Sequence, residues 1–520
     1  MYRPPSQVTP TLRAAMVRPT TLDPSLWPRA VRSLAALGFN AIDVPLVWRD
    51  HELPDGRLDF QTGERDLGRL LDVIAGEGLR AVVRVGPWPT SDVTHLGLPD
   101  RVLRDRRCQA RTRRQNPVLV LDLPRVVPLP SVASERYRAE AAAWVSAAVA
   151  ALGARLADGT VARLIVGHGP PAVLRDDFFE FDHHPDARGD DAPVSPPHHP
   201  PLDAGVAEVE RHCAHAERFL LHLRDAAIGA GAPAEVLALA VTGGALASPL
   251  ALSLGASHRL SLSAPPTRAG ATGIWREVRF AASLPGGAHV SLRAGAPPFE
   301  PPTRATHTLQ AARVALAAGA GDITVQAGCV GHHWIGALLD ERADPRAHAT
   351  RWAALLAEAD GWPRGVERGV ALPLRRADVV AARAATGVHP LPVGLLAWVG
   401  MRLDELTAAR DGAPDGGRAL EESLAAKGVS HWWTPSGADD PAPDAADGWA
   451  SVTPVVTPPG AALVRAVEHP RGRSLVICSR VEGPIQVAPP PGRWRDDRGV
   501  LEGPRALPGA EVAVWHEVTA

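Results

Sequence analysis

Eight short aliphatic and β-branched runs, each followed by a helical stretch, recur between Leu12 and about residue 360. They cover residues 12–17, 41–47, 80–86, 161–167, 235–241, 258–264, 288–294 and 322–328. Runs of this kind suit parallel strands covered by helices on their outer face. The stretches between them carry helix punctuation. "LWPRAVRSLAALG" has Pro28 near its first turn and Gly38 just past its end, the usual proline-first, glycine-last asymmetry. "ERDLGRLLDVIAGEG" and "TLQAARVALAAGAG" read the same way. Eight strand–helix units predict an α/β chain closed into a (β/α)8 TIM barrel. The span exceeds the ~250 residues typical of that fold. Insertions are therefore expected, at 100–134 and in the Pro/His/Asp-rich segment 182–205.

Past residue 360 the pattern changes. "GVALPLRRADVV" and "GRALEESLAAKGVSHWW" suit a small α/β unit, and the Pro/Asp/Ala-rich stretch 435–448 suits a linker. Short strands at turn-rich spacing follow, which predicts a terminal β-sandwich. The expected organisation is a barrel over 1–360, a small α/β region with linker over 361–448, and a C-terminal β-sandwich over 449–520.

Composition narrows the partners. Basic and acidic residues nearly balance, 55 against 57, so neither nucleic acid nor an anionic membrane is an expected partner. Cys108, Cys213, Cys329 and Cys478 are scattered without a CxxC pair. That spacing indicates no zinc site, disulfide framework or other cofactor. No run approaches the ~20 apolar residues of a spanning helix, and "MYRPPSQVTPTLRAAMV" has no signal-peptide core. The expectation is a cytoplasmic protein, with a homo-oligomer left open.

Barrel enzymes carry their catalytic side chains at the C-terminal ends of the strands. In "LIVGHGPPAV" the fourth run reaches Val166 and then meets Gly167, His168, Gly169, Pro170 and Pro171. This strand end offers one imidazole and no carboxylate, hydroxyl or thiol.

The opening hundred residues are more specific. Gly38 and Asn40 close a helix, and the string Trp48-Arg49-Asp50-His51-Glu52 follows the second strand. Pro54, Gly56, Asp59 and Phe60 come next, then Asp66-Leu67, and then Arg84-Val85-Gly86-Pro87-Trp88 at the third strand's end. In this order the motifs resemble the opening of the family 35 glycoside hydrolases, the β-galactosidases. "LAAGAGDITVQAGCVGHHWIG" is more loosely similar to that family's eighth-strand region. The resemblance implies a retaining glycosidase barrel, whose reaction needs two carboxyl groups about 5–5.5 Å apart. It places the acid/base at the end of strand four, where this chain has Gly169, and the nucleophile at the end of strand seven, where it has Arg293. It also makes Trp48, Arg49, His51, Glu52, Arg84, Trp88, Asp92, His168 and Arg293 candidates for binding substrate.

Each candidate has a structural alternative. His51 and Glu52 could anchor a loop, Arg84 could brace the barrel through a buried carboxylate such as Asp43 or Asp92, and Trp88 could be packing. Asp176, Asp177, Glu180 and Asp182 could supply a displaced general acid or form a solvated loop. His183, His184, His198, His199, His332 and His333 invite a metal but lack ligand spacing. Two functions follow. One is an inactive pseudo-glycosidase that binds carbohydrate or a protein partner. The other is a glycosidase with relocated carboxylates, and a structural or assembly role is a third reading. If Arg49, Arg84 and Arg293 converge, a small anionic ligand is expected in place of neutral galactose.

Overall fold

A computed structural model describes residues 11–88, 93–112, 115–122, 125–167, 182–189, 202–241, 248–264, 271–284, 286–292, 305–329, 336–363, 365–386, 415–436, 453–470, 472–481, 483–509 and 511–518. Eight parallel strands close into a barrel: β1 Arg13–Val17, β2 Ala41–Pro45, β3 Arg80–Arg84 and β4 Val161–Gly167, then β5 Leu237–Val241, β6 Leu260–Ala264, β7 Ala288–Leu292 and β8 Asp322–Cys329. Each strand pairs with its sequence neighbour, and β1 pairs with β8 to close the ring. All eight expected runs are barrel strands.

Local sequence explains the helices. In Trp27–Ala36 the buried residues Trp27, Ala30, Val31 and Leu34 recur at helical spacing and form one stripe. Gly38 follows at φ +87°, a left-handed conformation that glycine adopts without strain. Leu67–Gly76 begins at Asp66, whose carboxylate accepts from the Arg69 amide at 2.9 Å.

The insertion at 100–134 contains an antiparallel hairpin, Leu119–Asp122 with Arg125–Pro128. The segment 182–189 docks against this excursion. Asp182 accepts from the Arg111 amide at 3.1 Å and from the Ser131 hydroxyl.

In the small α/β region, Val370–Arg375 pairs in parallel with His431–Ser436. The terminal region has a six-stranded and a three-stranded sheet. One member of the larger sheet is Val366–Arg368, which pairs antiparallel with Ala466–Glu468. A strand from the middle of the sequence thus completes the terminal sheet. Strand Ala462–His469 alternates its faces: Leu463 joins the barrel's core, whereas Val464 and Ala466 face the sandwich's own core.

Candidate functional site

The inside of the barrel is unusually polar for a packed core. Its small apolar cluster comprises Leu12, Ala14, Ala41, Val82, Ile165, Ala238 and Ala240. Four alanines among these leave room for long polar side chains. Just below the C-terminal mouth, Arg84 Nε donates to both oxygens of Asp43 at 2.9 Å, and Nη2 donates to Asp43 Oδ2 and Ser291 Oγ at 2.7 Å. Arg84 is 2% exposed and Asp43 fully buried. Thr324 Oγ1 gives its single proton to Asp43 at 2.8 Å, so it accepts from His289 Nε2 at 2.7 Å. That order fixes the Nε2–H tautomer of His289. Its buried Nδ1 has no partner among the described residues, and burial, with Arg84 next, holds the imidazole well below its ordinary value.

Within this network Arg84 braces β3 against Asp43 of β2 and Ser291 of β7. Its charge is matched by Asp43 inside the barrel. Arg49 lies against His95 and pairs with Asp100 at 3.1 Å. The basic concavity expected from Arg49, Arg84 and Arg293 therefore loses two contributors to carboxylates, and Arg293 lies outside the described residues.

The Trp48–Glu52 string forms a helical turn and its cap. Trp48 stacks on Trp144 with centroids 5.8 Å apart, and Trp144 Nε1 donates to Val85 O at 3.1 Å. Trp48 Nε1 donates to Glu52 Oε2 at 3.0 Å, and Arg101 grips both Glu52 oxygens at 2.7 and 2.8 Å. His51 Nδ1 donates to Asp59 O at 2.8 Å while its ring packs on Phe60. These bonds close the loop after β2. Trp48, His51 and Glu52 thus brace this loop, and Trp88 is buried at the end of its strand.

A side chain at Gly167, the last residue of β4, would be strained and crowded. Gly167 has φ +110°, and a Cβ there would sit 2.5 Å from Leu220 Cδ2. A Cβ on Gly86 would fall 1.4 Å from Gly167 O, so strands three and four approach backbone to backbone at the mouth. Asp92, His168, Gly169 and Arg293 lie outside the described residues, as do Asp176, Asp177, Glu180, His198, His199, His332 and His333. Asp182 is described, and its carboxylate is spent on Arg111, Ser131 and the His184 amide at 2.9 Å. It cannot donate a proton at the mouth while so bonded. His183 and His184 are buried beside it. His184 Nε2 donates to Arg107 O at 2.9 Å and its Nδ1 accepts from the Asp186 amide. Among the described residues no cluster of three His, Cys, Asp or Glu is arranged for a metal.

Sequence reading passed over one cation at the mouth. Arg18 follows β1 directly and is bound through its amide to Cys329 O at 3.1 Å. Burial lowers its guanidinium to about 10 while Asp50 opposes the shift. Its signal was available, an Arg one residue beyond a strand end, but the family motifs begin later.

The family model for glycosyl hydrolases family 35 matches residues 9–118. A probable β-galactosidase C of Neosartorya fischeri is 37% identical over 74 residues, 14% of this chain and 8% of that protein. β-galactosidase 12 of Oryza sativa subsp. japonica is 36% identical over 76 residues, 15% of this chain and 8% of that protein. The match thus spans less than a tenth of those curated relatives. Among solved structures, the β-galactosidase of the psychrophilic Marinomonas ef1 superposes with TM-score 0.63 at 12% identity, over 98% of this chain and 100% of its own. That of Halorubrum lacusprofundi gives 0.59 at 16% identity, over 82% of this chain and 67% of its own. At these identities the likeness shows the fold. The chain is a (β/α)8 barrel whose opening segment is similar to glycosyl hydrolase family 35.

Proposed function

We propose that this barrel has kept a β-galactosidase scaffold without its hydrolytic groups, and that it binds a carbohydrate at its mouth without cleaving it. The end of β4 carries the reading. The resemblance puts the proton donor at Gly169, and the run Gly167-His168-Gly169 offers no carboxyl group in its place. Arg293 at the nucleophile position would repel the oxocarbenium-like transition state that a carboxylate stabilises. Each loss by itself is expected to cost orders of magnitude in rate. The commitment of Asp182 to the 100–134 excursion argues against relocated carboxylates. The pairing of Arg49 and Arg84 with acids favours a neutral sugar over an anionic ligand at the mouth. Four free, buried cysteines suit a reducing cytoplasm as its setting.

The test pairs hydrolysis with binding. Aryl β-galactosides should be cleaved no faster than in buffer, while calorimetry detects galactose or a β-galactoside and little preference for a uronic acid. Turnover abolished by Glu180→Gln but kept by surface controls would overturn the reading. Absence of any sugar binding would remove its second half.

A further inference from the structure

At the opposite, N-terminal end of the barrel a small cleft of about 90 Å³ lies where β1, the 316–321 turn and the terminal sheet meet. Among the described residues its lining contains two charged side chains, Arg13 and Arg465, and no acid. Their side chains are 5% and 8% exposed. Arg13 donates to Leu356 O at 2.6 Å and pairs with Asp360, a carboxylate that is itself 67% exposed. Arg465 Nε donates to Glu367 Oε1 at 2.6 Å.

Charge is unbalanced behind the cleft. Glu367 is shared between Arg465 and Arg279, whose side chain is 3% exposed. Two buried guanidiniums thus rest on one carboxylate and leave an excess positive charge, which is costly in a low-dielectric site. The 316–321 turn shapes the remaining wall. Gly319 has φ +102°, and a Cβ there would lie 3.2 Å from the Arg465 guanidinium carbon. The glycine lets that guanidinium lie flat on the turn and face the cleft. Trp362 supplies an apolar wall.

We propose that this cleft is a site for a phosphate-class oxyanion, free phosphate or a phosphate monoester, held between Arg13 and Arg465. The planar guanidinium fork matches tetrahedral oxyanions, and the bound anion supplies the counter-charge that Glu367 alone cannot. The site is separate from the barrel mouth and does not depend on sugar binding there.

Calorimetry with the full chain, at constant ionic strength, tests it in two arms, inorganic phosphate and glycerol phosphate. Saturable one-to-one binding is expected. Arg465→Met should weaken it about tenfold or more, since a charge-assisted hydrogen bond contributes ~1.5–3 kcal/mol. Gly319→Ala, which displaces the guanidinium and keeps every charge, should weaken it too, whereas Arg49→Ala at the mouth should not. Tighter binding of glycerol phosphate assigns the site to a monoester, and equal binding to the free ion. If Arg465→Met fails to fold, Gly319→Ala with Arg13→Lys carries the test. No saturable binding, or binding indifferent to the cleft variants, would overturn the proposal.

Discussion

Asp43 is the residue on which the barrel's interior turns. It accepts from Arg84 and Thr324, and through Thr324 it orders His289. Removing one partner of a buried pair leaves an uncompensated charge and typically costs about 3–5 kcal/mol. Asp43→Ala should therefore lower the urea midpoint steeply, while Asp43→Leu with Arg84→Met should recover most of the loss. Equal loss in both variants would mean that Ser291 and Thr324 need the pair for their own satisfaction. His289 adds a pH dependence of definite sign. Its folded value is depressed by burial, so between that value and the ordinary ~6.5 the unfolded chain binds the extra proton. Stability is full above about pH 6.5 and falls as the pH drops below it. His289→Gln should flatten that limb in denaturant titrations, and an unchanged slope would assign it to other groups. The two strongest residues of this layer, Asp43 and Arg84, were visible as charges inside aliphatic runs. His289, Ser291 and Thr324 were not singled out, because single polar residues in a strand do not reveal which way they point until register is fixed.

At the scale of elements, strand existence was legible and strand ends were not. The eight runs stood out because buried parallel strands need continuous apolar sequence. The motif string Trp48–Glu52 was equally visible, yet its meaning depended on partners far along the chain, Trp144 and Arg101, which no local pattern supplies. Glu52→Gln should accordingly lower the melting temperature by loosening the loop after β2, and leave any sugar affinity measured by calorimetry unchanged. A selective loss of affinity would return Glu52 to the binding site. The junction of β3 and β4 makes a sharper demand. Gly167→Ala forces a side chain into a left-handed conformation and against Leu220, a strain of about 1–3 kcal/mol before the clash is counted. Gly86→Ala should cost more, since the clash is with the backbone of Gly167 and neither strand can yield without breaking its ladder. Thermal melts that rank the two variants the other way would mean that β4 is free to move at the mouth.

For the molecule as a whole, the open question is what makes barrel and terminal sheets one body. Apolar packing contributes through Leu463, Val476 and Cys478, which join the barrel's core from the sheet's inner face. The polar contribution converges on Glu367. It sits on the strand that the middle of the sequence lends to the terminal sheet. It binds Arg279 from the barrel helix Ala271–Ser283 and Arg465 from the sheet itself. Burial pushes its carboxyl up, but the two guanidiniums outweigh that and hold it below the usual range. Arg279 also donates to Ser430 Oγ at 3.3 Å and lies 5.1 Å from the centre of the Trp432 ring, which ties in the α/β region. Glu367→Ala would leave two guanidiniums facing each other across the junction. Such a change should cost about 3–5 kcal/mol and fall on the coupling between the parts. Calorimetry is expected to show one unfolding transition for the wild-type chain and two for Glu367→Ala, the terminal sheets melting first. Arg279→Met with Glu367→Leu, which removes one cation and the acid together, should keep more of the cooperativity if Arg465 can turn to the cleft and its solvent. A single transition in Glu367→Ala, shifted as a whole, would show that the apolar face alone binds the two parts and that the triad fixes only their register.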